Sequence, residues 1–218
     1  MLLEEGCRVV ICGRDEDRLR RAEVELRAGS GDKVAAKVAD VSNYEQVGEL
    51  FRFVDTQFGG LDVLVNNAGV GIFRPVTELT VEEWKRTIET NLSGAFYCSR
   101  EALFRFRNKG GGHIVHISSL AGKHAFAGGS AYNASKFGLV GFSEATMQDA
   151  RSANVRVSTV MPGSVATEFG GGGVSGEDWK IWPEDIAEVV RMLLLMPART
   201  LVSAVEVRPS NPGGLQKR

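Results

Sequence analysis

The run from residue 34 to residue 65, VAAKVADVSNYEQVGELFRFVDTQFGGLDVLV, decides the fold class. Residues 34–38 and 61–65 read as β-strands, because both are short, apolar and rich in valine. Between them Val47, Leu50, Phe51, Val54 and Phe58 recur at the spacing that puts them on one helix face. A strand, a helix and a second strand of these lengths make a βαβ unit, whose strands are parallel. Continuous apolar strands, rather than alternating ones, point to a sheet covered on both faces.

The alternation extends in both directions. Upstream, residues 8–12 form a strand candidate, followed by a helix over 15–27 with Leu19, Ala22 and Leu26 on its apolar face. Downstream, Trp84, Ile88, Leu92, Ala95 and Phe96 define a helix that continues toward Arg107. Then come a strand at 113–117, a helix over 132–151 and a strand at 155–161. A helix opened by Pro183 with Glu184 and Asp185 ends before Pro197, and the last strand covers 203–207. The expected architecture is a doubly wound parallel α/β sheet of Rossmann type, in three αβα layers. It forms one domain over 1–208, with a frayed polar tail over 209–218.

Composition narrows the function classes. The 218 residues carry 26 Lys and Arg against 27 Asp and Glu, so the basic excess of a nucleic-acid binder is missing. Apolar stretches such as 192–196 fall far short of the ~20 residues that span a bilayer. Neither nucleic acid nor a membrane is therefore expected as a partner. No signal peptide is visible at the start. Cys7, Cys12 and Cys98 lack zinc-ligand or redox-motif spacing, so reduced, buried thiols in a cytoplasmic protein are expected. Glycine is over-represented, at 26 residues, which suggests tight turns or close backbone approach to a ligand.

In a doubly wound sheet, ligands bind beyond the carboxyl ends of the strands. After residues 8–12 stands Gly13-Arg14, a small residue and then a guanidinium, which favours a cofactor with a 2′-phosphate. An ordinary surface arginine near a helix start is the alternative. Asp40-Val41 follows the second strand as a clamp for the adenine, or as a helix start. Asn66-Asn67-Ala68-Gly69 follows the third: its small residues admit a flat ligand, and its Asn side chains can tie strands together. Ser118-Ser119 closes the next strand, and Tyr132-Asn-Ala-Ser-Lys136 follows. Tyr and Lys at i and i+4 share one helix face, so an ammonium there would lower the phenol pKa and suit it to proton transfer. Ser119 can hydrogen-bond the same substrate oxygen. Tyr-x-x-x-Lys alone would equally describe an amphipathic helix. His113 and His116, three apart on a strand, face opposite ways and cannot share a metal, and no metal site is expected. His124 is a candidate for touching substrate.

Together these residues resemble the short-chain dehydrogenase/reductase family over nearly the whole chain. The resemblance rests on Asn66-Asn67-Ala68-Gly69, on the spacing of Ser119, Tyr132 and Lys136, and on Pro162-Gly163 with Thr167. It implies that Asn91, in Glu-Thr-Asn91-Leu, completes a catalytic tetrad by holding a water that relays protons through Lys136. It also implies that Lys136 binds the nicotinamide ribose, and that Val165 and Thr167 meet the carboxamide. Residues 170–182 would be the variable substrate loop. The implied activity interconverts a carbonyl compound and an alcohol with a nicotinamide cofactor, and Arg14 makes NADP rather than NAD the expected one. The implied assembly is a homodimer or homotetramer paired through the helices at 84–107 and 132–151.

One family part is not found. The glycine-rich phosphate loop, Thr-Gly-x-x-x-Gly-x-Gly, is expected between a first strand and its helix. Met1-Leu-Leu-Glu-Glu-Gly6 instead looks like the tail of that helix, with Gly6 as its cap. The absent strand would lie between residues 8–12 and 61–65, which points to a downstream start or a truncated chain. A second reading is therefore a binding or regulatory module unable to turn over. A third is epimerisation or elimination on the same scaffold.

Overall fold

The computed structural model describes residues 1–169 and 179–211. The substrate loop expected at 170–182 and the tail at 209–218 fall largely outside the described residues. The elements run β1 (Val9–Gly13), α1 (Glu16–Ser30), β2 (Val34–Val38), α2 (Tyr44–Phe58) and β3 (Val63–Asn66). Next come α3 (Val81–Ile88), a π-helical turn (Glu89–Ser93), α4 (Gly94–Lys109), β4 (Gly112–Ile117) and α5 (Ser130–Ala150). The described chain closes with β5 (Val155–Pro162), α6 (Pro183–Leu195) and β6 (Ala204–Val207).

Local chemistry sets these boundaries. Asp15 caps α1 by accepting from the Arg18 amide at 2.9 Å, and Asn43 caps α2 by accepting from Gln46 at 3.1 Å. Gly59 ends α2 at φ 78°, in the left-handed region that glycine enters without strain. Thr80 and Glu83 form a reciprocal capping box at the start of α3.

All strand pairs are parallel, in two sheets: β1–β2, and β3–β4–β5–β6. Among the described residues no strand is hydrogen-bonded between β1 and β3. This matches the interruption expected between residues 8–12 and 61–65. Residues 1–7 form a helical turn, with the Cys7 amide donating to the Leu2 carbonyl at 3.0 Å and Gly6 at φ 82°. Met1 packs on the core, and Glu5 ion-pairs with Arg191 of α6.

Two cores line opposite sheet faces, as alternation along a strand requires. Ile114 and Val157 belong to one, with Val47, Leu50 and Phe51 of α2 and Cys98, Ala102 and Phe106 of α4. Val115 and Val160 belong to the other, covered by Val190 and Leu193 of α6. Across the α2–α4 seam Arg105 grips Asp55 at 2.7 and 3.0 Å and lies over the Phe51 ring. One cysteine expectation is corrected: Cys98 is buried, but Cys7, just before β1, and Cys12, on β1, are exposed.

Candidate active site

The first asparagine of the run after β3 is a strand tie. The Asn66 side-chain amide donates to Ser99 Oγ of α4 at 3.1 Å and to His116 Nδ1 of β4 at 3.2 Å. His116 is fully buried, and burial, aided by the Lys136 charge, pushes its pKa down to about 3, so the ring is a neutral acceptor. His113, on the opposite face, meets Ser158 Oγ at 2.9 Å. The strand ends are thus locked before any functional group is placed.

Beyond β4, Ser119 caps a single 3₁₀ turn by accepting from the Ala121 amide at 3.1 Å. That turn packs tightly on α5: a Cβ on Gly122 would come within 2.8 Å of the Lys136 carbonyl oxygen. The close approach brings Ser119 and Tyr132 to the same stretch of cavity wall. Lys136, one turn further along α5, is 4% exposed and donates to the Ile117 carbonyl at 2.9 Å. Its Nζ lies 5.7 Å from the Tyr132 ring centroid.

The electrostatics differ from the expected lowering of the phenol pKa. Burial raises the Tyr132 pKa, and the Ser119 hydrogen bond only partly opposes it. Burial also lowers the Lys136 pKa to about 8, because the same dry pocket disfavours the ammonium.

Asn91 occupies the π-helical turn, 1% exposed. Its oxygen accepts from the Val70 amide at 2.7 Å, and its nitrogen donates to the Val70 carbonyl at 2.9 Å and to Ser135 Oγ at 3.0 Å. Ser135 in turn donates to the Tyr132 carbonyl at 2.7 Å. Asn91 therefore joins the loop after β3 to the helix that carries Tyr132 and Lys136. Two helix residues that the sequence reading passed over complete this frame. Ser135 is one; Asn133 is the other, donating to the Ala121 carbonyl at 2.8 Å and accepting from Phe126 at 3.3 Å. Their signal was a polar side chain on a buried helix face.

A cavity of about 1760 Å³ opens at the strand ends. It brings together Ser119, Tyr132 and Lys136 with Asn67, Ala68 and Gly69. Pro162, Gly163, Val165 and Thr167 form another part of its wall, and His124 lies on its rim. Arg14, Asp40 and Val41 are not among the lining residues. Arg14 Nη1 lies 3.6 Å from Asp40 Oδ2, and Val41 packs against Gly94. Burial works to raise the Asp40 pKa, but bonds from Ser42 and the Arg14 charge leave it lowered. The lining suits the nicotinamide end of a dinucleotide. Ala68-Gly69 and Pro162-Gly163 offer nearly bare backbone to a flat ring, and Lys136 has donors beyond the one used by Ile117.

The sequence profile described as short chain dehydrogenase matches residues 1–176. The chain belongs to the short-chain dehydrogenase family. Membership makes it an oxidoreductase acting on CH–OH groups. An uncharacterized oxidoreductase of Staphylococcus aureus is 31% identical over 209 residues, 96% of this short-chain dehydrogenase and 89% of that protein. An alcohol dehydrogenase from the archaeon Thermococcus sibiricus, solved with 5-hydroxy-NADP, is similar at a TM-score of 0.89 and 30% identity, over 96% of this chain and 88% of that one. A metagenomic short-chain oxidoreductase solved with NADP aligns at a TM-score of 0.84 and 36% identity, over 97% and 89%.

Proposed function

We propose that this short-chain dehydrogenase interconverts a small carbonyl compound and its alcohol with NADP, using Tyr132 as the acid/base. The observation that carries the reading is the convergence of Ser119, Tyr132 and Lys136 on one cavity. Bound NADP would accept a hydride from the carbinol carbon, or NADPH deliver one to the carbonyl carbon. In reduction, Tyr132 gives its phenolic proton to the carbonyl oxygen; in oxidation it takes that proton back. A raised pKa keeps the phenol protonated at neutral pH, which suits the reductive direction. Ser119 donates to the same oxygen and fixes its distance from Tyr132. The Lys136 ammonium stabilises the phenolate left after proton transfer, and its free donors hold the nicotinamide ribose. Asn91 acts through Val70 and Ser135, steadying the backbone on both sides of the reacting centre.

The preference for NADP rests on Arg14. Its guanidinium is half exposed at the end of β1, with a loose 3.6 Å pairing to Asp40. A guanidinium grips a phosphate through parallel hydrogen bonds, whereas a ribose hydroxyl offers it far less. Arg14→Ala should weaken NADPH binding by about tenfold or more and NADH binding much less. Titration of both cofactors checks this, and equal losses would remove Arg14 from the 2′-phosphate site. We also expect a cytoplasmic homo-oligomer paired through α4 and α5. Exposed Phe96, Phe104 and Phe137 on those helices support it.

Product analysis tests the reaction class. With NADPH and a range of ketones, alcohol should appear in step with NADPH consumed. Rearranged substrate without net NADPH loss would favour epimerisation or elimination instead.

A further inference from the structure

Three phenylalanines flank Tyr132 in the cavity, and each comes from a different strand end. Phe73 lies on the loop after β3, Phe126 on the loop after β4, and Phe169 on the turn after β5. Their exposures are 44%, 47% and 44%, high for rings that could have been folded into a core. The cluster is continuous: Phe73 meets the Tyr132 ring edge-on at 5.4 Å, Phe169 meets it at 5.7 Å, and Phe126 meets Phe73 at 5.7 Å. These are the spacings and tilts at which aromatic rings attract one another.

The backbone is built to hold the rings there. A Cβ on Gly71 would come within 2.6 Å of the Phe169 ring and 2.9 Å of the Phe73 ring, so both rings use the space that glycine leaves. A Cβ on Gly129 would come within 2.6 Å of the Phe126 ring. The Arg74 amide donates to the Gly128 carbonyl at 2.7 Å, tying the Phe73 loop to the Phe126 loop. Asn133 accepts from the Phe126 amide. Two cations near the rings, Lys123 and Arg208, are engaged by Glu206 at 2.8 Å each. The wall beside Tyr132 therefore presents apolar ring surface.

We propose that this pocket selects aromatic carbonyl compounds: ketones bearing an aryl group, or the matching carbinols, whose ring packs among Phe73, Phe126 and Phe169. The proposal rests on the reductase reading above, since the carbonyl must reach Tyr132 while its substituent occupies the neighbouring wall. Bound NADPH would supply the hydride to the carbonyl carbon and be oxidised, and Tyr132 would give its phenolic proton to the oxygen. A planar ring adds edge and tilted contacts to the existing cluster, whereas a saturated ring of similar size adds only buried area.

The test compares phenylacetone with cyclohexylacetone on the full chain. Binding is measured first by calorimetry, alone and with oxidised NADP, where no ketone can be reduced. Turnover with NADPH is measured separately. Phenylacetone should bind about tenfold more tightly than its saturated partner, and Phe126→Leu or Phe73→Leu should erase that preference while the melting transition stays cooperative and within about 5 °C of wild type. Equal binding of the two ketones, binding of neither, or a preference untouched by both variants would overturn the aromatic assignment. An aryl preference in binding without turnover of either ketone would leave the assignment standing and contradict the reductase reading. Turnover of both ketones at equal efficiency would do the reverse.

Discussion

Lys136 carries its charge where burial opposes one, and that conflict has a measurable sign. Its pKa falls from an ordinary 10.5 to about 8 in the folded protein. Below about pH 8 the folded state bears the whole cost of an ammonium in a dry pocket. Between pH 8 and 10.5 the folded state binds fewer protons than the unfolded chain, so this penalty fades as pH rises. The unfolding free energy of the wild type, relative to Lys136→Met, should therefore climb across that window. Chemical denaturation at several pH values checks it, and a flat difference would mean that the ammonium is better solvated than its burial implies. Reductive turnover should move the other way, falling as pH passes about 8 and Lys136 loses its charge. The same residue shows how hydrogen bonds and burial share a site: Ile117 gives it one partner, and the remaining ammonium donors are the ones proposed above to hold the nicotinamide ribose.

Among the elements, the 3₁₀ turn after β4 and the start of α5 matter most, because the distance between them sets the spacing of Ser119 and Tyr132. Gly122 and Gly141 separate packing from propensity. At Gly122 a methyl would meet the Lys136 carbonyl at 2.8 Å and Val140 at 2.9 Å, whereas at Gly141 it meets nothing within 4 Å. Gly122→Ala should cost about 1–3 kcal/mol and lower turnover by forcing the turn away from α5. Gly141→Ala should stabilise by up to about 1 kcal/mol, since alanine is the better helix former. Thermal melts of the two variants, with activity alongside, distinguish them; a neutral Gly122→Ala would show that the turn can yield.

The contrast also marks what the sequence could reveal. Strand, helix and strand were legible at residues 34–65 because their apolar periods are local. Ser119, Tyr132 and Lys136 were legible as a set because they follow one strand within a short span. The π-helical turn was not: residues 84–107 keep a helical apolar spacing, and the turn widens around Asn91, whose partners Val70 and Ser135 lie 21 and 44 residues away. The phenylalanine cluster was hidden for the same reason, its members meeting only when three strand ends converge.

At the scale of the whole molecule, a four-stranded parallel sheet with a core on each face supports the site, and a separate β1–β2 pair carries Arg14 and Asp40. The pair is joined to the rest through α2 on α4, where Val47, Leu50 and Phe51 enter the shared core and Arg105 clasps Asp55. The tight packing of the turn after β4 on α5 holds Ser119, Tyr132 and Lys136 together, while the segments at the ends of β3 and β5 wall the same cavity. The residues proposed for proton transfer thus follow the four-stranded sheet, and the proposed selector of the cofactor phosphate follows the β1–β2 pair. The most direct measurement compares wild type with Tyr132→Phe, which keeps the ring and removes the proton. NADPH binding should survive while carbonyl reduction falls about 10²-fold or more. Near-normal turnover by Tyr132→Phe would contradict the assignment of Tyr132 as the acid/base.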